Sequence, residues 1–337
     1  MIKFPSIEQY RHLIHQVKAH YRFAGLDGAG EPVYDHNRTL PTLTFRGTTK
    51  LHGTNAAIHY DCGSDLISFQ SRTRVLSEGD DNAGFYAYMA PRKDGDVADL
   101  IITIQEVVLQ APKSITIFGE WCGQGIQKGV AISELPKMFV YFAVRVEYEH
   151  GTSEWLDINE VDYCNHEYIF NILDFYHEAI TIDFNCPELS QNKLIEFTEA
   201  VEAECPVGKA FGTSGVGEGI VWTCITPGWE SSKFWMKVKG EKHSVSKVKT
   251  LAAIDVEALA NIQSFLDYSV TEARLEQGFV EVNAKDIKDI AAFLRWMYND
   301  IMKEEADTIE ANGLDSLGKH ISARARPWFI KRINNVI

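Results

Sequence analysis

The chain of 337 residues is long for one hydrophobic core, and one large domain plus a smaller one is the expected arrangement. An apolar fraction of 45%, with seven Trp, thirteen Tyr and eighteen Phe, excludes a mostly disordered protein, and no run approaches the roughly 18 apolar residues of a membrane span. A formal net charge of −14 disfavours a uniform polyanion-binding surface, so any phosphate-binding function must rest on local basic runs.

The opening MIKFPSIEQYRHLI has no uninterrupted apolar leader core, and the expected location is the cytoplasm. Ser6 with Gln9 makes a capping-box pattern that predicts a helix to about His20. His12, His15 and His20 on it have no companion ligands and read as surface or boundary histidines. A Gly/Pro-rich connector, AGLDGAGEPVYDHNRTLP, leads into short runs of strand character: TLTFRG, AAIHY, LISFQSRT, SITIFGEW, MFVYFAVRVEY, GIVWTCI and KFWMKVK. GTSGVGEG lacks the Gly-Lys-Ser/Thr ending of a P-loop and precedes a strand, so it reads as a turn. After Thr250 the pattern becomes helical, as in AKDIKDIAAFLRWMYNDIMKEE and SLGKHISARARPWFIKRI. A mixed α and β body followed by a helical domain is therefore expected, with the boundary near residue 245. Six cysteines without a C-x-x-C pair fit reduced thiols better than a disulfide frame or a zinc site.

Basic residues gather at 233–249 and 319–332, interleaved with aromatics as a phosphate-tracking surface requires. Other charged positions fall at the ends of predicted strands. In order they are K-L-H-G (50–53), S-R-T (71–73), F-G-E (118–120), F-V-Y-F (139–142), E-G-I-V (218–221) and K-V-K (237–239). Lys50 stands where a strand ends and Gly53 permits a sharp bend. Glu120 follows the apolar run ITIFG, where a carboxylate is expensive to bury without a partner. Lys237 and Lys239 occupy alternate positions of one strand and share a face.

Taken in this order, the motifs resemble those of the covalent nucleotidyltransferases: RNA ligases, DNA ligases and mRNA capping enzymes. K-L-H-G-T-N, F-G-E-W-C-G-Q-G-I-Q-K, R-P-W and the opening K-F-P-S-I-E-Q-Y are more narrowly similar to the phage-type RNA ligase 2 family, over nearly the whole chain. The resemblance implies an α+β fold. A nucleotidyltransferase domain of antiparallel sheets and helices would span 1–245, and a small all-α RNA-binding domain 246–337. It also implies an ATP-dependent RNA ligase that joins 3'-OH and 5'-phosphate ends through lysyl-AMP and RNA-adenylate intermediates.

By the same resemblance, Lys50 attacks the α-phosphorus of ATP with Mg²⁺ present, Mn²⁺ being able to replace it. A lysine with a reference pKa of about 10.4 is charged at neutral pH, and Lys237 and Lys239 would lower that value and neutralise the triphosphate. Glu218 would hold metal and position the reacting groups, Phe142 stack on adenine, and Glu120 contact the ribose hydroxyls. Leu51 would adjoin the nucleotide, and Asn55 and Arg72 lie near the ribose and the RNA 5'-phosphate. Arg324, Arg326, Lys331 and Arg332, with Lys319, would track the RNA backbone. The implied partner is a duplex or nicked RNA bound by a monomer, with no membrane. Ala143, Thr223 and Thr49 depart from the Asp, Lys and Glu common in relatives, and residues 21–44 read as an insertion. A DNA ligase would continue into an OB-fold barrel rather than helices. An inactive nucleic-acid-binding protein of the same fold has no need of Lys50, Glu120, Glu218, Lys237 and Lys239 together.

Overall fold

Alternation in TLTFRGTT turns Leu43, Phe45 and Gly47 to one side of a strand and Thr44, Arg46 and Thr48 to the other, and the larger unit is organised about this strand. The computed structural model describes residues 1–163, 167, 169–240, 256–282, 284–311 and 313–334. The boundary expected near 245, the later part of the basic run at 233–249 and Cys164 lie outside the described residues. Two compact units emerge, one of Met1–Tyr21 with Leu40–Ala252, the other of Arg22–Thr39 with Ala253–Ile337.

In chain order the elements are β1 (Glu8–Gln9), α1 (Tyr10–Arg22), β2 (Phe23–Leu26), β3 (Pro32–Tyr34), β4 (Thr42–Thr49), β5 (Thr54–Asp61) and β6 (Leu66–Ser71). Next come α2 (Phe85–Met89), α3 (Asp96–Val107), β7 (Ser114–Cys122), β8 (Met138–Glu147), β9 (Ser153–Leu156), β10 (Ile169–Asn171) and β11 (His177–Asp183). The rest are α4 (Gln191–Ala203), α5 (Pro206–Ala210), β12 (Gly219–Cys224), β13 (Met236–Lys239), α6 (Val256–Ser269), α7 (Glu272–Glu281), α8 (Ile290–Glu304), α9 (Ala306–Ala311) and α10 (Leu317–Asn334).

The first unit holds two sheets of mainly antiparallel pairing. One has the order β1-β13-β12-β4-β11, the other β10-β8-β7-β5-β6 with β9 on β8. Each sheet is covered by helices on its outer side. Leu13 and Val17 of α1 and Leu194 and Val201 of α4 pack on Phe45, Trp222 and Met236 of the first sheet. Phe85 and Met89 of α2 and Leu100 and Ile104 of α3 pack on Ile117, Trp121 and Phe139 of the second. Between the sheets lie Ala57, Phe118, Ala143 and Trp235, joined by Phe4 and Trp155. Burial of these aromatics, each removing ~150–250 Å² from water, supplies much of the driving force for stacking the layers.

The second unit is the short hairpin β2/β3 together with helices α6 to α10. The helices enclose a core of Phe265, Leu266, Phe293, Met297, Ile321 and Phe329. The helical reading of the C-terminal region and the α+β fold both hold.

Helix α1 starts later than the capping box suggests. Glu8 and Gln9 pair in parallel with Met236 and Lys237 instead, which commits their backbone to the sheet edge and delays the helix to Tyr10. The sequence reading also left unmarked the helices α2 to α5 inside the body.

Candidate active site

Strand β4 delivers Lys50. The lysine follows Thr49, and its amide donates to the Gly219 carbonyl at 2.8 Å, which ties the end of β4 to the start of β12. The chain then passes through Leu51–Gly53 into β5 of the second sheet. A Cβ on Gly53 would lie 2.4 Å from the Trp121 carbonyl oxygen, so the glycine is needed for close backbone approach. Its amide donates to Glu120 Oε1 at 3.0 Å, and Gln127 Nε2 donates to its carbonyl at 3.2 Å.

Glu218 is the hub of the cluster. Its neighbour Gly219 has φ +145° and passes so close to β13 that a Cβ would meet the Val238 carbonyl oxygen at 2.2 Å. The Glu218 carboxylate, in a residue 3% exposed, accepts Lys50 Nζ on Oε2 and Lys239 Nζ on Oε1, both at 2.6 Å. His52 Nδ1 lies 3.3 Å from Oε2. Burial pushes this carboxyl upward, but Lys50 and Lys239 outweigh it and hold Glu218 below the ordinary carboxylate range.

Lys237 sits in register with Val221, two strand positions from Lys239, with which it shares a face. Burial depresses its ammonium, and the charges of Lys239 and Lys50 add to the depression. Glu120 is partly buried, and burial pushes its carboxyl up to about 7 against the opposing pull of Lys50 and the Gly53 amide. Asn55 is directly opposite Glu120 on the adjacent strand, so the two share a face. Arg72 is exposed after β6, and its charge reaches Glu120 and Lys237.

Two expected nucleotide contacts are placed differently. The Leu51 side chain is buried in the core of the second sheet, and its carbonyl lies 3.5 Å from Lys50 Nζ, so any contact with a nucleotide would come from its backbone. Phe142 is the unpaired residue of a bulge, because Phe118 pairs with Ala143 and Gly119 with Tyr141. The Phe142 ring meets Phe4 edge to face at 5.1 Å. It also lines a cavity of about 840 Å³ with Arg46, Thr48, Trp155, Thr223 and Trp235. Lys50 stands two residues beyond Thr48 and does not line this cavity.

Two of the three departures have local accommodations, and Thr49 does not. Ala143 is buried beside Phe118 and Trp235. The Thr223 hydroxyl donates to the Arg46 carbonyl at 3.4 Å, while the Arg46 guanidinium pairs with Asp157 at 2.7 Å. Thr49 lies in register with Ile220 and keeps a buried hydroxyl without a hydrogen-bond partner.

The basic residues of α10 belong to the second unit. Arg324 pairs with Asp267, and Arg332 Nε with Glu276 at 2.8 Å, whereas Lys319, Arg326 and Lys331 are exposed. Among the described residues no group of three or more His, Cys, Asp or Glu is placed to hold a metal. Glu218 by itself could offer its carboxylate to a divalent cation such as Mg²⁺, which takes one or two carboxylates and keeps its remaining positions for water or a bound phosphate.

Sequence reasoning overlooked His52, Phe4 and Gln127. His52 was visible inside K-L-H-G, but Phe4 and Gln127 meet the site only through the fold.

The description "RNA ligase" belongs to the family model that matches residues 43–239, more than half of the chain and a span that carries every motif from Lys50 to Lys239. The chain belongs to the RNA ligase family. No curated protein matches it. Among solved structures, a Naegleria gruberi RNA ligase mutant with ATP and Mn is similar at TM-score 0.42 and 14% identity, covering 72% of this RNA ligase family member and 57% of that chain. The same ligase with PPi gives 0.42 and 14%, and a mutant with AMP and Mn gives 0.43 and 14%, each with the same coverage. The family member described here thus spans a little over half the length of those ligases.

Proposed function

We propose that this RNA ligase family member is an ATP-dependent RNA ligase of the phage-type RNA ligase 2 kind, joining RNA 3'-OH and 5'-phosphate ends in a nicked or otherwise duplex RNA. The observation that carries the reading is Glu218, whose two carboxylate oxygens hold Lys50 and Lys239 at 2.6 Å each. A strand-end lysine held beside a second lysine by one buried carboxylate is what covalent nucleotide transfer needs: a nucleophile fixed in position and a cation for the leaving phosphates.

ATP entering this site brings negative charge that competes with Glu218 for Lys239 and attracts Lys237 as well. Lys50 gives a proton up to solvent, its Nζ attacks the α-phosphorus, an N–P bond forms, and the bond to the β-phosphate breaks with release of pyrophosphate. Mg²⁺ bound through Glu218 and the phosphates would neutralise charge on the leaving group. Phe142 would stack on adenine and Glu120 accept from the ribose hydroxyls, with Asn55 beside it. Arg72 would meet the RNA 5'-phosphate to which AMP passes, and the RNA 3'-OH would then displace AMP. The helical unit, through Arg326 and Lys331 with Lys319, Arg324 and Arg332, would dock the RNA backbone. The reading includes a monomer working in the cytoplasm, with the unit boundary near residue 245.

Labelled ATP followed by denaturing electrophoresis tests it. The chain should become covalently labelled with Mg²⁺ or Mn²⁺, with an acid-labile, alkali-stable bond, and Lys50→Ala should not label. Labelling of Lys50→Ala equal to the parent's would sink the reading. An inactive binding protein would label in neither form.

A further inference from the structure

Helix α1 departs sharply from the charge of the chain. Its thirteen residues, YRHLIHQVKAHYR, contain no Asp or Glu in a protein of net charge −14. Tyr10, Leu13 and Val17 are buried against the first sheet. Arg11, His15 and Lys18 recur at spacings of four and three, so they form one stripe along the opposite side. Arg11 and His15 are exposed and Lys18 partly so.

These cations are not used up internally. Among the described residues, neither Arg11 nor Lys18 has an ion pair, and the one ion pair of α1 joins His12 to Glu8 at 2.9 Å. Lys18, Asp183 and Glu188 all act by charge on Cys186, yet neither acid forms an ion pair with Lys18 among the described residues. At the far end of the helix, exposed Lys233 lies 3.2 Å from His20 Nδ1, beside Trp229, which stacks with Tyr21. Helix α4, which covers the same sheet, carries Glu196, Glu199 and Glu202, so acid and base are segregated onto different helices of this outer face.

The stripe also begins at the catalytic strand. Gln9 pairs with Lys237, and Tyr10 opens the helix at the next residue. From Arg11 to Lys18 the helix rises about 10 Å, at ~1.5 Å per residue.

We propose that Arg11, His15 and Lys18 of α1, with Lys233 at its end, form a phosphate-backbone track for the RNA. It lies within the first unit, is separate from α10, and leads away from the site at Lys237. The proposal rests on the reading of the chain as an RNA ligase.

The test uses the full chain with two double variants, Arg11→Gln/Lys18→Gln and Arg11→Glu/Lys18→Glu, and a fluorescent nicked RNA duplex as probe. Binding is measured across a salt series, with self-labelling by ATP in parallel. Since each phosphate contact contributes a slope of about 0.9 in log affinity against log salt, the neutral variant should lose roughly two units of slope and bind about tenfold more weakly at low salt. The charge-reversed variant should lose more, while both keep parental ATP labelling and melting temperature. An unchanged slope and affinity in the neutral variant would overturn the track, whatever the labelling result. So would cation-dependent binding to acidic lipid vesicles with no effect on RNA, which would make the stripe a membrane-facing surface. Absence of labelling in the parent chain would instead strike at the ligase reading.

Discussion

Phe4 meets Phe142 edge to face, with ring centroids 5.1 Å apart. The partner of Phe4 is the aromatic assigned to adenine, so the N-terminal segment, anchored by Ile2 on Gln70 and by Glu8–Gln9 on β13, holds that ring in place from behind. Phe4→Ala should weaken ATP use in self-labelling several-fold through a higher half-saturating concentration, and cost about 2 kcal/mol of stability, less than a full core Phe→Ala because the site is half-buried. A nucleotide titration beside a thermal melt separates the two effects. Parental ATP dependence in a destabilised Phe4→Ala would confine the residue to packing.

Glu218 pairs with Lys50 and Lys239, and its carboxyl is held low for that reason, after burial has been overcome. Its folded-state value is below its unfolded one, so it stabilises the fold above the unfolded value near 4.5, and that contribution is lost as pH falls through the folded value. Glu218→Gln should remove this acid-side loss from the melting profile and reduce AMP transfer at least ~100-fold. Identical acid profiles for the variant and parent would show that the ion pairs carry no stability.

For Glu120 the sign is opposite. Burial raises its carboxyl to about 7, so the nucleotide-free protein holds it largely protonated below neutrality. On the proposed reading ribose hydroxyls would donate to the ionised form, and AMP affinity should therefore rise with pH up to about 7 by more than it does in Glu120→Gln. Calorimetric titration from pH 6 to 8 reads the difference, since ionisation of AMP itself is common to both proteins. Parallel pH profiles would contradict this role for Glu120.

The two strand lysines should differ. Lys239 touches Glu218 directly, whereas Lys237 acts by charge at a distance, so Lys239→Ala should abolish labelling and Lys237→Ala impair it severely, with both proteins folded. Near-parental activity in a folded Lys239→Ala would remove that lysine from the site.

On α10, Arg324 and Arg332 are occupied by Asp267 and Glu276. Arg326→Ala/Lys331→Ala should flatten the salt dependence of RNA binding more than Arg324→Ala/Arg332→Ala does. The reverse order would mean that RNA displaces the acidic partners and recruits the paired arginines.

How much of this was legible in the sequence follows from the range of the forces involved. Lys50, Glu218, Lys237 and Lys239 could be placed because strand ends and period-2 alternation are local signals. That one carboxylate gathers two of those lysines was not readable, since it requires β4, β12 and β13 to be neighbours. The same limit applies to Phe4, which lies 138 residues from its ring partner and shows only as part of an apolar opening. Basic runs were visible as composition, but which arginines are spent on internal acids depends on helix packing. The run at 319–332 therefore looked uniform when it is not.

The division of the chain has a consequence for how its parts communicate. Arg22–Thr39 goes with the helical unit although its neighbours on both sides belong to the other, so among the described residues the polypeptide passes between units at 21/22 and 39/40. A partner joined by one linker is an appendage, free to be cut away; one that also includes an earlier stretch of the chain is not. Removing the chain beyond residue 249 would leave the β2/β3 hairpin behind, with Phe23, Leu26 and Val33 still exposed and its own unit gone. A clean separation of the two units therefore calls for a double excision, with residues 22–39 replaced by a short flexible connection as well.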